Sequence, residues 1–139
     1  MIVRPQSILL DAEALSALAA GERRMQAWAT VARPTPSELY PSAATLAETT
    51  DGSPRDAEVR RAVKAIRIQP VTEEIGYRAG ALRAMASDGR RKPRDLTVDA
   101  LVAATALTLP APVVVLTSDP KDLGRLLAGA AVRVEAVES

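Results

Sequence analysis

The sequence predicts an α/β fold, with a central parallel sheet covered by helices on both faces. Short apolar runs read as buried strands, at Ser7–Leu10 and most strongly at Val113-Val114-Val115-Leu116. Longer stretches with apolar residues at helical spacing lie between such runs. The two kinds of segment alternate along the chain, and that rhythm implies parallel strands joined by helical crossovers. The 139 residues are the length of one domain, expected over 1–139, and a chain this long buries a core without staples.

The elements follow in order. Ser7-Ile8-Leu9-Leu10 is a strand ending in Asp11. Leu15, Leu18 and Ala19 recur at helical spacing up to Gly21, a helix stop. A second helix is expected from Glu22 to Ala32, with Met25, Trp28, Ala29 and Ala32 on its inner stripe, before a loop marked by Pro34 and Pro36. Glu38-Leu39-Tyr40 is a brief strand that Pro41 ends, and Ser42 is placed to cap a helix over Ala43–Thr50. Asp51-Gly52-Ser53-Pro54 is a turn before an amphipathic helix from Arg55 to Ala65. Ile66-Arg67-Ile68-Gln69-Pro70 alternates like a short strand. Thr72 caps a helix to about Ala86, with Glu73 and Glu74 where the helix dipole favours anions. Ser87–Arg94 is a loop, and Leu96–Leu109 is a strongly apolar helix broken by Pro110 and Pro112. After the strand Val113–Leu116, Asp119-Pro120 opens a last helix to about Ala128, and Val132-Arg133-Val134 closes as an edge strand.

Composition limits the chemistry. Apolar residues make up 47% and charged residues 25%, which is the globular range. The formal charge of +1 does not announce a nucleic-acid partner, so any such surface must concentrate its basic residues locally. The chain has no Cys and no His, which removes disulfides, thiolate metal sites, imidazole bases and most zinc centres. Catalysis must rest on carboxylates, hydroxyls, Lys or Arg, with or without a hard metal. No signal peptide is read at the N-terminus, and no run approaches the ~20 apolar residues of a membrane span. A cytoplasmic protein without a membrane partner is expected.

Four acids stand out. Asp11 ends one predicted strand and Asp119 follows another by two residues, so both sit at the carboxyl edge of the sheet, where ligands bind in such folds. Asp99 is the lone charge of the helix Leu96–Leu109, and Glu48 the lone charge of Ala43–Thr50. A carboxylate on an apolar helix face is costly to bury without a partner. A divalent cation is such a partner, since Mg²⁺ and Mn²⁺ prefer oxygen ligands. Blander roles compete: Asp11 and Asp119 as helix caps, Asp99 as a first-turn acid, Glu48 facing solvent. Capping and metal binding do not exclude each other. A metal held by these acids would activate water for hydrolysis, and the spacing leaves open which carboxylate takes the proton. Asp122 reads first as a capping partner or solvent residue, and second as an extra ligand.

These segments resemble the motifs of the PIN domain family. Ile8-Leu9-Leu10-Asp11 with Ala14–Leu18 resembles its opening, and Ser42-Ala43-Ala44-Thr45-Leu46-Ala47-Glu48 its second acidic motif. Asp99-Ala100-Leu101-Val102-Ala103-Ala104-Thr105-Ala106 is similar to the third, and Val114–Leu123 to the fourth. Order, spacing and length match over nearly the whole chain, and the chain is similar to VapC-type toxins, the PIN-domain ribonucleases of bacterial toxin–antitoxin modules. The resemblance implies a three-layer α/β/α fold and Mg²⁺- or Mn²⁺-dependent cleavage of RNA, with Asp11, Glu48, Asp99 and Asp119 as catalytic and metal-binding acids. It also implies a homodimer and a small antitoxin. Asp11 is followed by Ala12 and Glu13 where Ser or Thr often follows, which leaves open whether Glu13 joins the site.

RNA contacts are expected from the basic run Arg90, Arg91, Lys92 and Arg94, and from Thr117 and Ser118, which are also placed to orient a ligand of the metal. The only aromatic platforms are Trp28, Tyr40 and Tyr77, with Trp28 and Tyr77 read as core or interface, so recognition by shape and phosphate is expected over base stacking. Leu15, Leu18, Met25 and Trp28 form an apolar stripe that is read either as core or as a dimer or antitoxin contact. The alternative function is a PIN-like module that binds RNA or a partner without cutting. A receiver-like signalling domain is disfavoured, because none of Lys64, Lys92 and Lys121 stands at a strand end.

Overall fold

The computed structural model describes residues 5–25, 28, 38–86 and 96–137. Four strands form one parallel sheet: β1 (Ser7–Leu10), β2 (Glu38–Pro41), β3 (Val113–Thr117) and β4 (Val132–Ala136), in the order β2-β1-β3-β4. Strand β1 pairs Leu10 with Pro41 on one side and with Leu116 on the other, so three strand ends are level. The helices are α1 (Ala12–Ala19), α2 (Ala43–Thr49), α3 (Asp56–Val63), α4 (Glu73–Ala86), α5 (Thr97–Ala106) and α6 (Pro120–Leu126).

Side chains alternate across a strand, so the inner strands feed two cores. Ile8, Leu10, Val114 and Leu116 point to one face, where Ala14, Leu15 and Ala17 of α1 and Val59 of α3 cover them. Leu9, Val113 and Val115 point to the other, under α4, α5 and Leu123 and Leu126 of α6. Both faces are covered, which explains why β1 and β3 read as unbroken apolar runs. The three-layer α/β/α expectation holds. No helix among the described residues is long and apolar enough to cross a membrane.

The chain leaves β1 toward β2 on one side of the sheet and leaves β3 toward β4 on the other. Strand order therefore reverses between β1 and β3, and their carboxyl ends form the switch point at which such folds bind ligands.

Several expectations change. Residues 66–70 add no strand to the sheet. Gln69 alone bridges to Ser42, donating to the Pro41 carbonyl and accepting from the Ala43 amide, each at 2.8 Å. Pro41 has no N–H to extend a ladder on that side. Leu15 and Met25 are fully buried under the sheet, and Leu18 and Trp28 pack against the same core, so most of the apolar stripe is spent inside the fold. Tyr77 is not core: it is 74% exposed on α4. Of the helix expected over Glu22–Ala32, residues 23–25 are helical and most of the rest lies outside the described residues.

Candidate metal centre

The site starts from the switch between β1 and β3. The Asp11 amide donates to the Leu116 carbonyl at 2.9 Å, which extends the β1–β3 pairing by one step. The Asp11 side chain then divides its oxygens. Oδ1 accepts from the Ala12 amide at 2.8 Å, at the start of α1, and Oδ2 accepts from the Thr117 hydroxyl at 2.7 Å. The same Thr117 oxygen accepts from the Asp119 amide at 2.9 Å. One buried hydroxyl thus fixes both strand-end acids. Asp119 caps α6, its Oδ1 accepting from the Asp122 amide at 3.3 Å, with Pro120 in the first turn.

Asp99 enters from the first turn of α5. Carboxylate oxygens of Asp99, Asp119 and Asp122 lie within 4.8 Å of one another, close enough to share one cation. Burial raises the Asp99 carboxyl to about 7, and Asp11, Asp119, Asp122 and Glu48 push it the same way. Glu48 stands at the rim on α2, whose start is fixed by Ser42 Oγ accepting from the Ala44 amide at 3.1 Å. Its carboxyl is raised by loss of water and then by Asp11. The four acids singled out in the sequence therefore face one region, with Asp99 at its electrostatic centre.

Asp122 carries more of the site than its sequence position suggests. It is buried, 5% exposed, and belongs to the triad with Asp99 and Asp119. The available signal was the Asp-x-x-Asp spacing, which puts an N-cap and the third residue of a helix on the same end. Glu13 does not join. It pairs with Arg24 at 2.7 Å.

Of the two roles expected of Thr117, its hydrogen bonds fit the orienting of a ligand. It is fully buried and its hydroxyl is committed to Asp11 and Asp119, so its place is to orient a carboxylate. Ser118 is exposed beside it. Arg90, Arg91, Lys92 and Arg94 lie outside the described residues.

Oxygen-only donors with one carboxyl held near neutrality suit a hard divalent cation, which would lower that carboxyl again.

Known proteins share the fold. VapBC-1 from nontypeable Haemophilus influenzae superposes with a TM-score of 0.68 at 16% identity, over 94% of this chain and 98% of that one. A toxin-antitoxin complex from Klebsiella pneumoniae gives 0.59 at 24% identity, over 90% and 94%. FitAcB from Neisseria gonorrhoeae gives 0.65 at 23% identity, over 91% and 96%. No curated protein matches the chain. The sequence profile of the PIN domain matches residues 8–126, from the first core residue of β1 to the last of α6, and so takes in every acid of the site: this chain belongs to the PIN domain family.

Proposed function

We propose that this chain is a metal-dependent endoribonuclease that hydrolyses RNA phosphodiester bonds, and that it is the toxin of a type II toxin–antitoxin pair. The carrying observation is the Asp99 carboxyl. Among the described residues the charges that raise it are all acids, and two further carboxylates lie within 4.8 Å. A fold that brings so many like charges together without need is unstable, and a cation relieves the repulsion.

Asp99, Asp119 and Asp122 would hold a Mg²⁺ or Mn²⁺ ion, with Asp11 and Glu48 completing the acidic wall. Bound there, such an ion activates water and neutralises charge on a phosphate. The chain's own residues do the positioning. Thr117 holds Asp11 in one rotamer and Asp119 at the strand end. The α6 cap aligns Asp119 with Asp122. Glu48, the most exposed of the acids and raised above its usual range, is suited to take a proton from water.

The toxin reading rests on the fold likeness to toxin–antitoxin complexes. It carries a small antitoxin partner, a homodimer and a cytoplasmic location with it. Purified chain with Mn²⁺ should cleave RNA, and Asp99→Asn should not. Equal cleavage by both, or none by either, defeats the nuclease reading. Growth arrest on expression, relieved by the product of a short adjacent gene, tests the toxin reading separately.

A further inference from the structure

The two edges of the sheet are finished differently. At one edge, the backbone of residues 67–69 runs beside β2. The Arg67 amide donates to the Leu39 carbonyl at 3.5 Å and the Gln69 amide to the Pro41 carbonyl at 2.8 Å. At the other edge stands β4, which pairs with β3 alone. Two bonds fix the direction of its backbone groups. The Leu116 carbonyl accepts from the Asp11 amide and so faces β1, while the Thr117 carbonyl accepts from the Val137 amide at 2.9 Å and so faces β4. Backbone groups alternate from side to side along a strand. Arg133, Glu135 and Val137 therefore turn their N–H groups to β3, and Val132, Val134 and Ala136 turn N–H and C=O outward. Among the described residues these outward groups have no partner. Such an edge is a template for another strand unless something blocks it. Strand β4 holds no Pro and no bulge, its register running one for one from Val113↔Val132 to Thr117↔Ala136.

The side chains say which strand fits. Val132 and Val134 pack against the core under α4, α5 and α6. Arg133 and Glu135 lie on the other face, where they pair at 2.9 Å with side chains 47% and 37% exposed. The run Val-Arg-Val-Glu-Ala is self-complementary about its centre. Set two copies antiparallel with Val134 opposite Val134. Val132 then falls opposite Ala136, and Arg133 opposite Glu135. The outward residues meet as hydrogen-bonded pairs, and the charged residues as the closer, non-hydrogen-bonded pairs. Opposite charges so placed stabilise, and like charges destabilise. Sliding the second strand by two residues either way sets Arg133 against Arg133 or Glu135 against Glu135. One register is therefore favoured over its neighbours.

We infer that β4 is a self-association edge, pairing antiparallel with β4 of a second copy in the register centred on Val134 and joining two four-stranded sheets into one. The contact is isologous and closes at two copies. The homodimer of the toxin reading names no surface; this pairing names one, and it stands on β4 alone, whatever chemistry the acids perform. The two acidic sites lie at opposite edges of the joined sheet. A five-residue strand is a small contact beside the roughly 1,600 Å² of a standard interface, so the dimer is weak.

Sedimentation velocity of the full chain, from about 5 to about 500 μM, reads the pairing as a shift from monomer to dimer. Arg133→Glu alone and Glu135→Arg alone each set two like-charged pairs across the contact and weaken association about tenfold. Mixed in equal amounts, the two variants associate again, because in the mixed pair every charge faces its opposite. A role confined to the Arg133–Glu135 pair within one copy gives no such rescue, since each variant keeps its own like charges. Melting at the lowest concentration checks that each variant is folded. Hydrogen exchange of the parent adds a reading that needs no variant. Between the ends of the range the amides of Val132, Val134 and Ala136 slow severalfold, while those of Arg133 and Glu135, already turned to β3, do not change. A chain that stays monomeric throughout overturns the inference. So does a dimer that neither reversal weakens, which places the contact elsewhere, for instance at the exposed Tyr77 and Met85 of α4. Loss of association in two folded variants without rescue on mixing, or no slowing of the three amides, overturns it as well.

Discussion

Two acidic regions of this molecule receive opposite treatment. In the turn after α2, Asp56 is buried but accepts from the Asp51 amide at 3.1 Å and the Gly52 amide at 2.8 Å. Beside it, hydrogen bonds from Ser53 and the nearby Arg55 hold the Asp51 carboxyl at about 2. At the acidic site, Asp99 is raised to about 7 by burial and by four neighbouring acids. The first region supplies donors to its carboxylates from the local backbone and so is complete. The second assembles, among the described residues, charges of one sign around Asp99. Buried acids alone do not mark a site; what marks it is how their charge is answered.

The largest expected effect separates the two regions by activity. Asp99→Asn lowers RNA cleavage by more than about 100-fold, because it removes a first-hand ligand where even outer partners of ligands are worth 10–100-fold. Asp56→Asn, at a carboxylate more buried than Asp99, leaves kcat/KM within about threefold once folded protein is compared. If both variants lose activity alike, the contrast between the regions breaks. The next effect is Thr117→Val, which frees Asp11 Oδ2 and the Asp119 amide together. Metal affinity, read from a Mn²⁺ titration of activity, falls about 10–100-fold, while Ser118→Ala changes little.

Much of this was legible in the sequence, and the reasons are physical. Strands β1 and β3 are buried on both faces, so their apolar runs could not be mistaken. Asp11 and Asp119 follow those runs directly, which placed them at the carboxyl edge before any coordinates. Asp99 showed itself as a charge in an apolar helix. Asp122 was undervalued, since a polar residue three positions after a cap has an ordinary explanation and only tertiary placement buries it. Thr117 was legible only as a residue placed to orient a ligand or contact RNA: sequence gives its neighbourhood, and not the 106-residue separation across which its hydroxyl meets Asp11. Residues 66–70 alternate as a strand does, but a strand needs a neighbour free to pair, and Pro41 offers none beyond one bridge.

Stability should show the same contrast with opposite signs. A carboxyl raised in the folded state binds its proton more tightly there than in the unfolded chain. Its contribution is fully present below about pH 4 and is lost as pH rises through about 7. Metal-free protein therefore becomes less stable between about pH 4 and 7, by on the order of 2 kcal/mol after allowance for solvent screening. Asp51, held at about 2, acts in the opposite sense, adding stability as pH rises from about 2 toward 4. Asp99→Asn should remove the upper slope, and saturating Mn²⁺ should reverse it. At 100 times its dissociation constant, Mn²⁺ adds about 2.7 kcal/mol to the parent chain. Urea unfolding at a series of pH values, with and without Mn²⁺, reads all three curves, and an upper slope that survives in Asp99→Asn places its origin elsewhere.

The smallest effect belongs to the completed region. Asp56→Ala removes the acceptor from two amides in the turn and leaves them without their partner. The cost is about 1–3 kcal/mol if the turn stays closed, and less if water reaches the freed N–H groups. Because no metal is involved, Mn²⁺ should stabilise Asp56→Ala by the same increment as the parent. The two losses then add, as expected for sites that share no partner. A Mn²⁺ increment that shrinks in Asp56→Ala would instead tie the turn to the acidic site through α2, whose last turn carries Glu48 and leads directly into this turn. In that case the two regions would be one unit, with the donors of the turn holding the last turn of α2, and Glu48 on it, in place.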